Sequence, residues 1–440
     1  MSTHGYSGEV AELLRRLGIE PGDRVRVRRN GRVLEGVVMP SYGSGEALVL
    51  KLDNGYNVGI SVREGELEKV GRAGRGSPGS PVPLLERQEV GEGRVFVLGC
   101  GGTVASRVDY DTGAVRPYLT AQELALSSPE MLRYARVEAE QLLSILSEDM
   151  KPRFWEEIVR EAARAIERGY DGIVITHGTD TMSYTAAALS FAFHRGLPVP
   201  IAMTGAQRSS DRPSSDASFN LVAATLVAAR APFAEVSVVM HGESGDSYAL
   251  AHRGVRVRKM HSSRRDAFRS VNARPLAKVW PYEGKIELVE RRFKGRGGEL
   301  AVDNGFEERV ALVKHFPGAA GEVIHALLDR GFRGIVVEGT GLGHVSTDAV
   351  GALERAREMG VPVVVATQTI YGRVNLNVYS TGRMMLRAGA IPAEDMLAEV
   401  AYAKLSWALA RTRELGEIAK IMRANLAGEI SPSHDIGLFG

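Results

Sequence analysis

The stretch Asp171-Gly-Ile-Val-Ile-Thr-His-Gly-Thr-Asp-Thr-Met182 changes character halfway along. Its first half is a short apolar run, the length of a buried strand. The eight residues ITHGTDTM, Ile175 to Met182, then hold a histidine, a glycine, three threonines and an aspartate. An ordinary surface turn does not concentrate hydroxyls and a carboxylate at a strand tip. In open parallel sheets ligands bind outside the carboxyl ends of the strands, so this tip is a candidate site.

Working outward, short apolar runs alternate with helical stretches. Val95–Leu98, Ile173–Ile175, Val199–Ala202 and Val236–Met240 read as strands, and Trp155–Arg168 and Thr185–Arg195 as helices. The pattern resumes with strands at Val310–Val313, Gly334–Glu338 and Val361–Ala366, and helices around Glu322–Arg330 and Thr347–Met359. A last helix is expected from Pro392 to about Leu426, before a tail from Ser431. Buried strands alternating with helices imply a mostly parallel sheet covered on both faces.

The first residues differ. Pro21 to Val38 alternates apolar and charged residues with Asn30-Gly31 at a hairpin position, and Ala47–Leu52 and Val58–Ile60 flank another turn at Asp53-Asn54-Gly55. Short strands joined by tight turns read as a small barrel. The expected architecture is therefore α/β: a small β-barrel domain over residues 1–70, a Gly/Ser/Pro linker over 71–92, a first lobe over 93–285, a charged connector over 286–308, and a second lobe with its tail over 309–440.

Composition excludes several classes. Net charge is only +2, so any nucleic-acid contact must come from a local patch. The arginines at 24, 26, 28, 29 and 32 could meet phosphates, although a solvated face is the plainer reading. A single cysteine, Cys100, allows no internal disulfide and fits a reducing cytosol. No apolar run is long enough to cross a bilayer, so a cytoplasmic protein is expected. The basic residues are 45 Arg and 10 Lys, a bias that genome composition or heat tolerance would equally explain.

Two strand ends carry the chemistry. Val95–Leu98 runs into Gly99-Cys-Gly-Gly-Thr-Val-Ala-Ser106, and Ile173–Ile175 into Thr176–Thr181. Glycines let a backbone approach a substrate closely, and each segment then offers a hydroxyl, Thr103 or Thr179, the second followed at once by Asp180. Gly101-Gly102-Thr103 lacks the spacing of a phosphate-binding loop. A threonine becomes a nucleophile only when a base takes its proton. Lys259, the one lysine in Val255–Phe268, is a candidate, although by composition that stretch reads as a solvated basic loop. Backbone N–H groups after Gly101-Gly102 and after Gly178 could stabilise an oxyanion. His177 and Cys100 read as packing residues, and no cluster has metal-ligand spacing.

Together GGTVAS and VITHGTDTM resemble the two signature segments of the bacterial-type L-asparaginase family. ILSEDM (Ile145–Met150), MTGAQRSSDRPSSDASFNL (Met203–Leu221) and RKMHSSRRDAFRS (Arg258–Ser270) follow in the family's order. The resemblance runs from Val95 to Leu426 and implies a two-lobed, asparaginase-like body. It makes Thr103 the nucleophile and Thr179, Asp180 and Lys259 the proton-relaying set. Ser147, Glu148 and Asp180 would hold the substrate's α-groups, and Tyr110 would lie on a closing lid. Glu148 stands where many asparaginases have glutamine, and Gly341-Leu-Gly-His344 where the family has asparagine-containing sequence.

The barrel joined to such a body, with RVDYDTGAV and RKMHSSRRDAFRS, resembles the D-subunit branch of archaeal-type glutamyl-tRNA(Gln) amidotransferases. That branch implies a glutaminase that feeds ammonia to a partner, the E-subunit of the amidotransferase. The partner binds Glu-tRNA(Gln) and uses ATP and Mg, and this chain itself needs no cofactor. The assembly implied is a homodimer core within a heterotetramer. A free-standing L-asparaginase of amino-acid catabolism is the alternative, against which the extra barrel stands. A non-catalytic RNA-binding scaffold is a third reading, against which the joint presence of Thr103, Thr179, Asp180 and Lys259 stands.

Overall fold

The computed structural model describes residues 6–29, 32–41, 46–52, 57–63, 65–72, 91–102, 106–108, 115–117, 128–208 and 215–433. Thr103, Tyr110 and the turns expected at Asn30-Gly31 and Asp53–Gly55 lie outside the described residues.

The N-terminal unit opens with helix α1 (Gly8–Arg16), which the sequence pattern did not lead us to expect. Its Val10, Ala11, Leu13 and Leu14 fall at helical spacing and pack with Val25, Val27, Leu48 and Leu50 in one core. Five antiparallel strands follow: β1 (Asp23–Arg29), β2 (Arg32–Val38), β3 (Leu48–Leu52), β4 (Asn57–Ile60) and β5 (Leu67–Arg72). Their order is β4-β3-β2-β1-β5, and among the described residues no pairing of β4 with β5 closes the sheet. The period-two pattern of β1 buries Val25 and Val27 and turns Arg24, Arg26 and Arg28 outward. Carboxylates of the flanking strands meet that row. Arg26 Nε lies 2.5 Å from Glu35, and Arg26 and Arg28 lie 3.7 and 3.6 Å from Glu68. Two carboxylates partly offset the three arginines, so the row is not a bare cationic face.

In the body, the strands are β6 (Gly93–Gly99), β7 (Ser106–Val108) paired with β8 (Val115–Pro117), β9 (Ala135–Gln141), β10 (Gly172–Thr176), β11 (Ile201–Thr204), β12 (Val236–His241), β13 (Ala249–Arg253), β14 (Val257–Lys259), β15 (Phe268–Ser270), β16 (Ala277–Trp280) and β17 (Lys285–Leu288). Eight of them form a mixed sheet in the order β17-β16-β13-β12-β11-β10-β6-β9. Strands β9 to β12 are parallel, and β13, β16 and β17 extend the sheet antiparallel. This extension was not legible in the sequence, because only its inner face is apolar and the outer residues include Lys278 and Glu287. Strands β6 and β10 are apolar on both faces. Phe96, Leu98, Ile173 and Ile175 pack toward helices α2 (Pro152–Glu167) and α3 (Met182–Ala192), while Val95, Val97 and Val174 pack toward α4 (Ala217–Arg230).

The second lobe is a parallel sheet of β18 (Val310–Lys314), β19 (Gly334–Gly339), β20 (Val363–Thr367) and β21 (Ile391–Pro392). Helices α5 (Ala320–Asp329), α6 (Val350–Glu358) and α7 (Ser380–Arg387) pack on one core, and α8 (Ala398–Leu409) shares the first lobe's core. A buried ion pair, Arg256 Nη1 to Asp395 Oδ2 at 2.9 Å, joins the lobes.

One expectation needs correction. The final helix is not continuous, since α8 ends at Leu409 and α9 spans Leu415–Arg423. The break has a tertiary cause: Trp407 Nε1 donates to the Asp303 carbonyl at 2.9 Å, and Arg411 Nε donates to the Asp303 carboxylate at 2.9 Å. Pro392 belongs to β21 and not to a helix. The stretch expected as a connector, 286–308, begins within β17 and is tied to the first lobe by hydrogen bonds. Arg296 Nε donates to the Ala231 carbonyl at 2.7 Å, and the Asp303 N–H donates to the Ala192 carbonyl at 2.8 Å. Among the described residues no helix is long and apolar enough to cross a membrane.

Candidate active site

The tip of β10 is locked between its neighbours. The Thr176 carbonyl accepts the Cys100 N–H at 2.9 Å, and the His177 N–H donates to the Thr204 carbonyl at 2.9 Å. Beyond it three segments converge at a distance that only glycine allows. A Cβ on Gly178 would stand 2.4 Å from Ser147 Cβ, and one on Gly102, at φ +85°, would stand 2.4 Å from the Gly178 nitrogen. The two glycine-rich strand ends of the sequence are therefore in contact.

A directed chain of hydrogen bonds holds the tip from behind. Trp155 Nε1 donates to Thr185 Oγ1 at 3.0 Å, Thr185 lies 2.9 Å from His177 Nε2, and His177 Nδ1 lies 2.7 Å from the Gly178 carbonyl. Trp is only a donor and a carbonyl only an acceptor, so the imidazole carries its proton on Nδ1. Burial pushes the His177 pKa down to about 4, which keeps that ring neutral. Pinning the Gly178 carbonyl turns the Thr179 N–H, on the opposite side of the same trans peptide, away from His177. His177 is thus a packed core histidine, and burial likewise pushes the Cys100 thiol up.

On the open side, Lys259 Nζ donates to Thr179 Oγ1 at 2.9 Å and to Asp180 Oδ1 at 2.7 Å. The Lys259 side chain is 12% exposed and that of Asp180 67%, so Lys259 Nζ reaches outward from a half-enclosed position. Lys259 ends β14, which pairs with β15 through Lys259↔Phe268, and buried Phe268 anchors the hairpin. The basic stretch is therefore a hairpin with one lysine aimed at the threonine, and not a free solvated loop. Ser147, buried on a short 3-10 turn, lies 3.5 Å from Asp180 Oδ2. Its carbonyl accepts Thr181 Oγ1 at 2.7 Å. Glu148 is exposed beside it.

A cavity of about 390 Å³ opens next to this cluster, lined by Asp180, Ser183, Tyr184, Arg258, Lys259 and Glu399 among others. Burial raises the Glu399 carboxyl pKa, and Arg258, 3.2 Å away, opposes that. The larger surface crevice, about 860 Å³ around Arg253, Arg256 and Lys294, holds none of the expected site residues. Among the described residues no group of His, Cys, Asp and Glu is placed to hold a metal ion. His344 stacks edge-on with Tyr379, ring centres 5.1 Å apart, and does not line the Lys259 cavity.

Two supporting groups escaped the sequence reasoning, Trp155–Thr185 behind His177 and Asp216–Asn220 behind Gly205. In the sequence the only sign of the second was the polar pair at helical spacing opening α4.

Residues 94–293 match the family "Asparaginase, N-terminal", residues 309–422 the "Glutaminase/Asparaginase C-terminal domain", and residues 19–70 the "GatD N-terminal domain". The thermostable L-asparaginase from Thermococcus kodakarensis is similar in structure, with a TM-score of 0.69 and 36% identity over 77% of this chain and 100% of that one. L-asparaginase I from Vibrio cholerae is similar with a TM-score of 0.68 and 32% identity over 77% of this chain and 99% of that one. Neither extends over the whole chain. The D-subunit of the glutamyl-tRNA(Gln) amidotransferase from Aeropyrum pernix reaches further, at 64% identity over 94% of this chain and 99% of its own. That of Thermococcus kodakarensis is 52% identical over 96% and 97%. With both lobes and the N-terminal unit matched, the chain belongs to the D-subunit family of glutamyl-tRNA(Gln) amidotransferases, built on an asparaginase-type body.

Proposed function

We propose that this chain is the glutaminase subunit of a tRNA-dependent amidotransferase. It releases ammonia from glutamine so that its partner, the E-subunit, uses ATP and Mg to convert Glu-tRNA(Gln) to Gln-tRNA(Gln). The observation that carries the chemistry is the Lys259–Thr179–Asp180 contact beside the paired glycines of two strand ends.

The reaction runs as two acyl transfers. Thr103 Oγ attacks the side-chain carboxamide carbon of glutamine, and its proton passes to the Thr179–Lys259 pair. The tetrahedral oxyanion is met by backbone N–H groups. Return of the proton to nitrogen breaks the C–N bond and frees ammonia. Water, deprotonated by the same pair, then releases glutamate. Relay of this kind is worth about 10²–10⁴-fold. Asp180 serves twice, orienting the Lys259 amine that takes the proton and, with Ser147 and Glu148, binding the α-groups of the amino acid. Tyr110 closes the site. The roles of Thr103 and Tyr110 rest on their motifs.

The division of labour follows the proposed domains: a small barrel over 1–70, a linker over 71–92, the catalytic lobe over 93–285, a connector over 286–308 and a second lobe over 309–440. The alternation of β1 and its pairing with both β2 and β5 support the barrel. The protein is cytoplasmic, and two copies form a core that two partner chains complete as a heterotetramer. The structural likeness to L-asparaginases favours free asparagine hydrolysis as the second reading. Ammonia release by the full chain, measured with glutamine and with asparagine, separates the two. Rapid turnover of asparagine without a partner would promote the second.

A further inference from the structure

Five side chains form a polar line through the apolar body outside the catalytic cluster. Asp216 accepts the backbone N–H groups of Gln207 and Arg208, each at 3.0 Å. Asn220 Nδ2 donates to Asp216 Oδ2 and to the Gly205 carbonyl, both at 3.0 Å. With its amide hydrogens committed, Asn220 offers only Oδ1 to His241, whose Nδ1 is 2.7 Å away. His241 Nε2 lies 2.9 Å from Asp246 Oδ1, and Arg265 Nη1 donates to that same oxygen at 2.8 Å. Arg265 Nη2 also donates to the Ser244 carbonyl at 2.6 Å. Asp216, Asn220 and His241 are wholly buried.

One end of the line abuts the site, and the other lies on the hairpin that carries Lys259. A Cβ on Gly205 would stand 3.0 Å from Thr179 Cγ2, so the turn clamped by Asp216 and Asn220 is the back wall of Thr179. Arg265 lies in the loop joining β14 to β15, and Lys259 is the last residue of β14. We infer that Asp216, Asn220, His241, Asp246 and Arg265 form a positioning network that sets the Lys259–Thr179 contact, with Asp246 and Arg265 holding the hairpin that carries the lysine.

The network touches no reacting atom, and its role rests on the glutaminase reading above. Buried polar groups are costly unless fully satisfied, and a satisfied line is rigid. The charged groups facing His241 are Asp216 at the start of α4, Asp246 on the loop after β12, and Arg265 from the hairpin. A bond at both ring nitrogens requires the imidazolium; burial, the larger effect, lowers the His241 pKa, although Asp246 and Asp216 favour the charged ring.

The outer pair tests the idea without disturbing the core, because Asp246 is 58% exposed. Ammonia release from glutamine by the full chain is measured for Arg265→Ala, Asp246→Ala and the double variant, with thermal unfolding alongside. Each single variant is expected to lower kcat by about 10- to 100-fold, the scale of a ~1 Å misplacement, with KM little changed. The limb of the kcat/KM pH profile that is lost in Lys259→Ala should shift. The double variant should be no worse than the worse single one. Unchanged kcat and pH profile, or fully additive losses, would overturn the network. Full activity in Lys259→Ala would instead overturn the glutaminase mechanism, leaving the two failures distinguishable.

Discussion

Lys259 Nζ lies 2.9 Å from the Thr179 hydroxyl, although 80 residues separate them in the chain. The hairpin of β14 and β15 carries the lysine to the threonine. If the lysine accepts a proton through Thr179, Lys259→Arg should be nearly as damaging to ammonia release as Lys259→Ala, since arginine cannot be deprotonated near neutral pH. Restoration of most of the activity by arginine would reduce the lysine to an electrostatic support.

Thr103→Val keeps the β-branched volume and removes the hydroxyl. Folding should survive, as judged by an unchanged thermal midpoint, while glutamine turnover falls by several orders of magnitude. Substantial turnover in the purified variant would remove Thr103 from the nucleophile's role.

A glutaminase serving an acceptor tRNA should run slowly alone, because ammonia released early is lost to solvent. The closing element proposed is the segment 108–113 with Tyr110, and a shift of a lid from about 1:99 to 99:1 needs roughly 5.5 kcal/mol of differential binding. Ammonia release is therefore expected to be low for this chain alone. It should rise sharply when the partner and Glu-tRNA(Gln) are added together. A fast basal rate that neither addition changes would contradict the gating.

Acid should destabilise the fold early. Burial holds His177 at about 4 and His252 at about 3, against ~6.5 in an unfolded chain. As the pH drops below 6.5 the unfolded state takes up protons that the native state refuses, so the stabilising effect present above 6.5 is lost toward 4. The slope is about 1.4 kcal/mol per pH unit for each histidine. Asp266, held at about 2 by Arg264 and Arg269, adds its loss only below pH ~4. Urea midpoints at pH 7 and pH 4.5 measure this, and equal midpoints would refute it.

Lys404 and Glu429 form a wholly buried pair at 2.5 Å. Lys404 also caps α9 by donating to the Met422 carbonyl at 3.1 Å, and Glu429 accepts the Ala427 N–H at 2.7 Å. Lys404→Met strands a buried carboxylate and should cost about 3–5 kcal/mol. Thermal unfolding within error of the parent chain would show the pair to be dispensable.

The amino-acid sequence by itself determined the strands that are apolar on both faces and the polar tip of β10. Runs such as Val95–Leu98 and Ile173–Ile175 are apolar at every position, and burial on both faces leaves no other pattern for a strand between helix layers. Thr179 and Asp180 were legible because a strand end and its glycine lie next to them in the chain. Tertiary structure alone decided the rest. Lys259 sits in a run of arginines whose composition suits solvent, and only the strand pairing turns it toward Thr179. Helix α8 stops at Leu409, short of what its sequence pattern supports, where Arg411 meets Asp303 from a distant loop. His241 ends β12 as an unremarked polar residue until α4 and the hairpin close around it. Local patterns record which face of an element is buried. Which charged groups meet is set by strand order and helix docking, and those are properties of contacts between residues far apart in the chain.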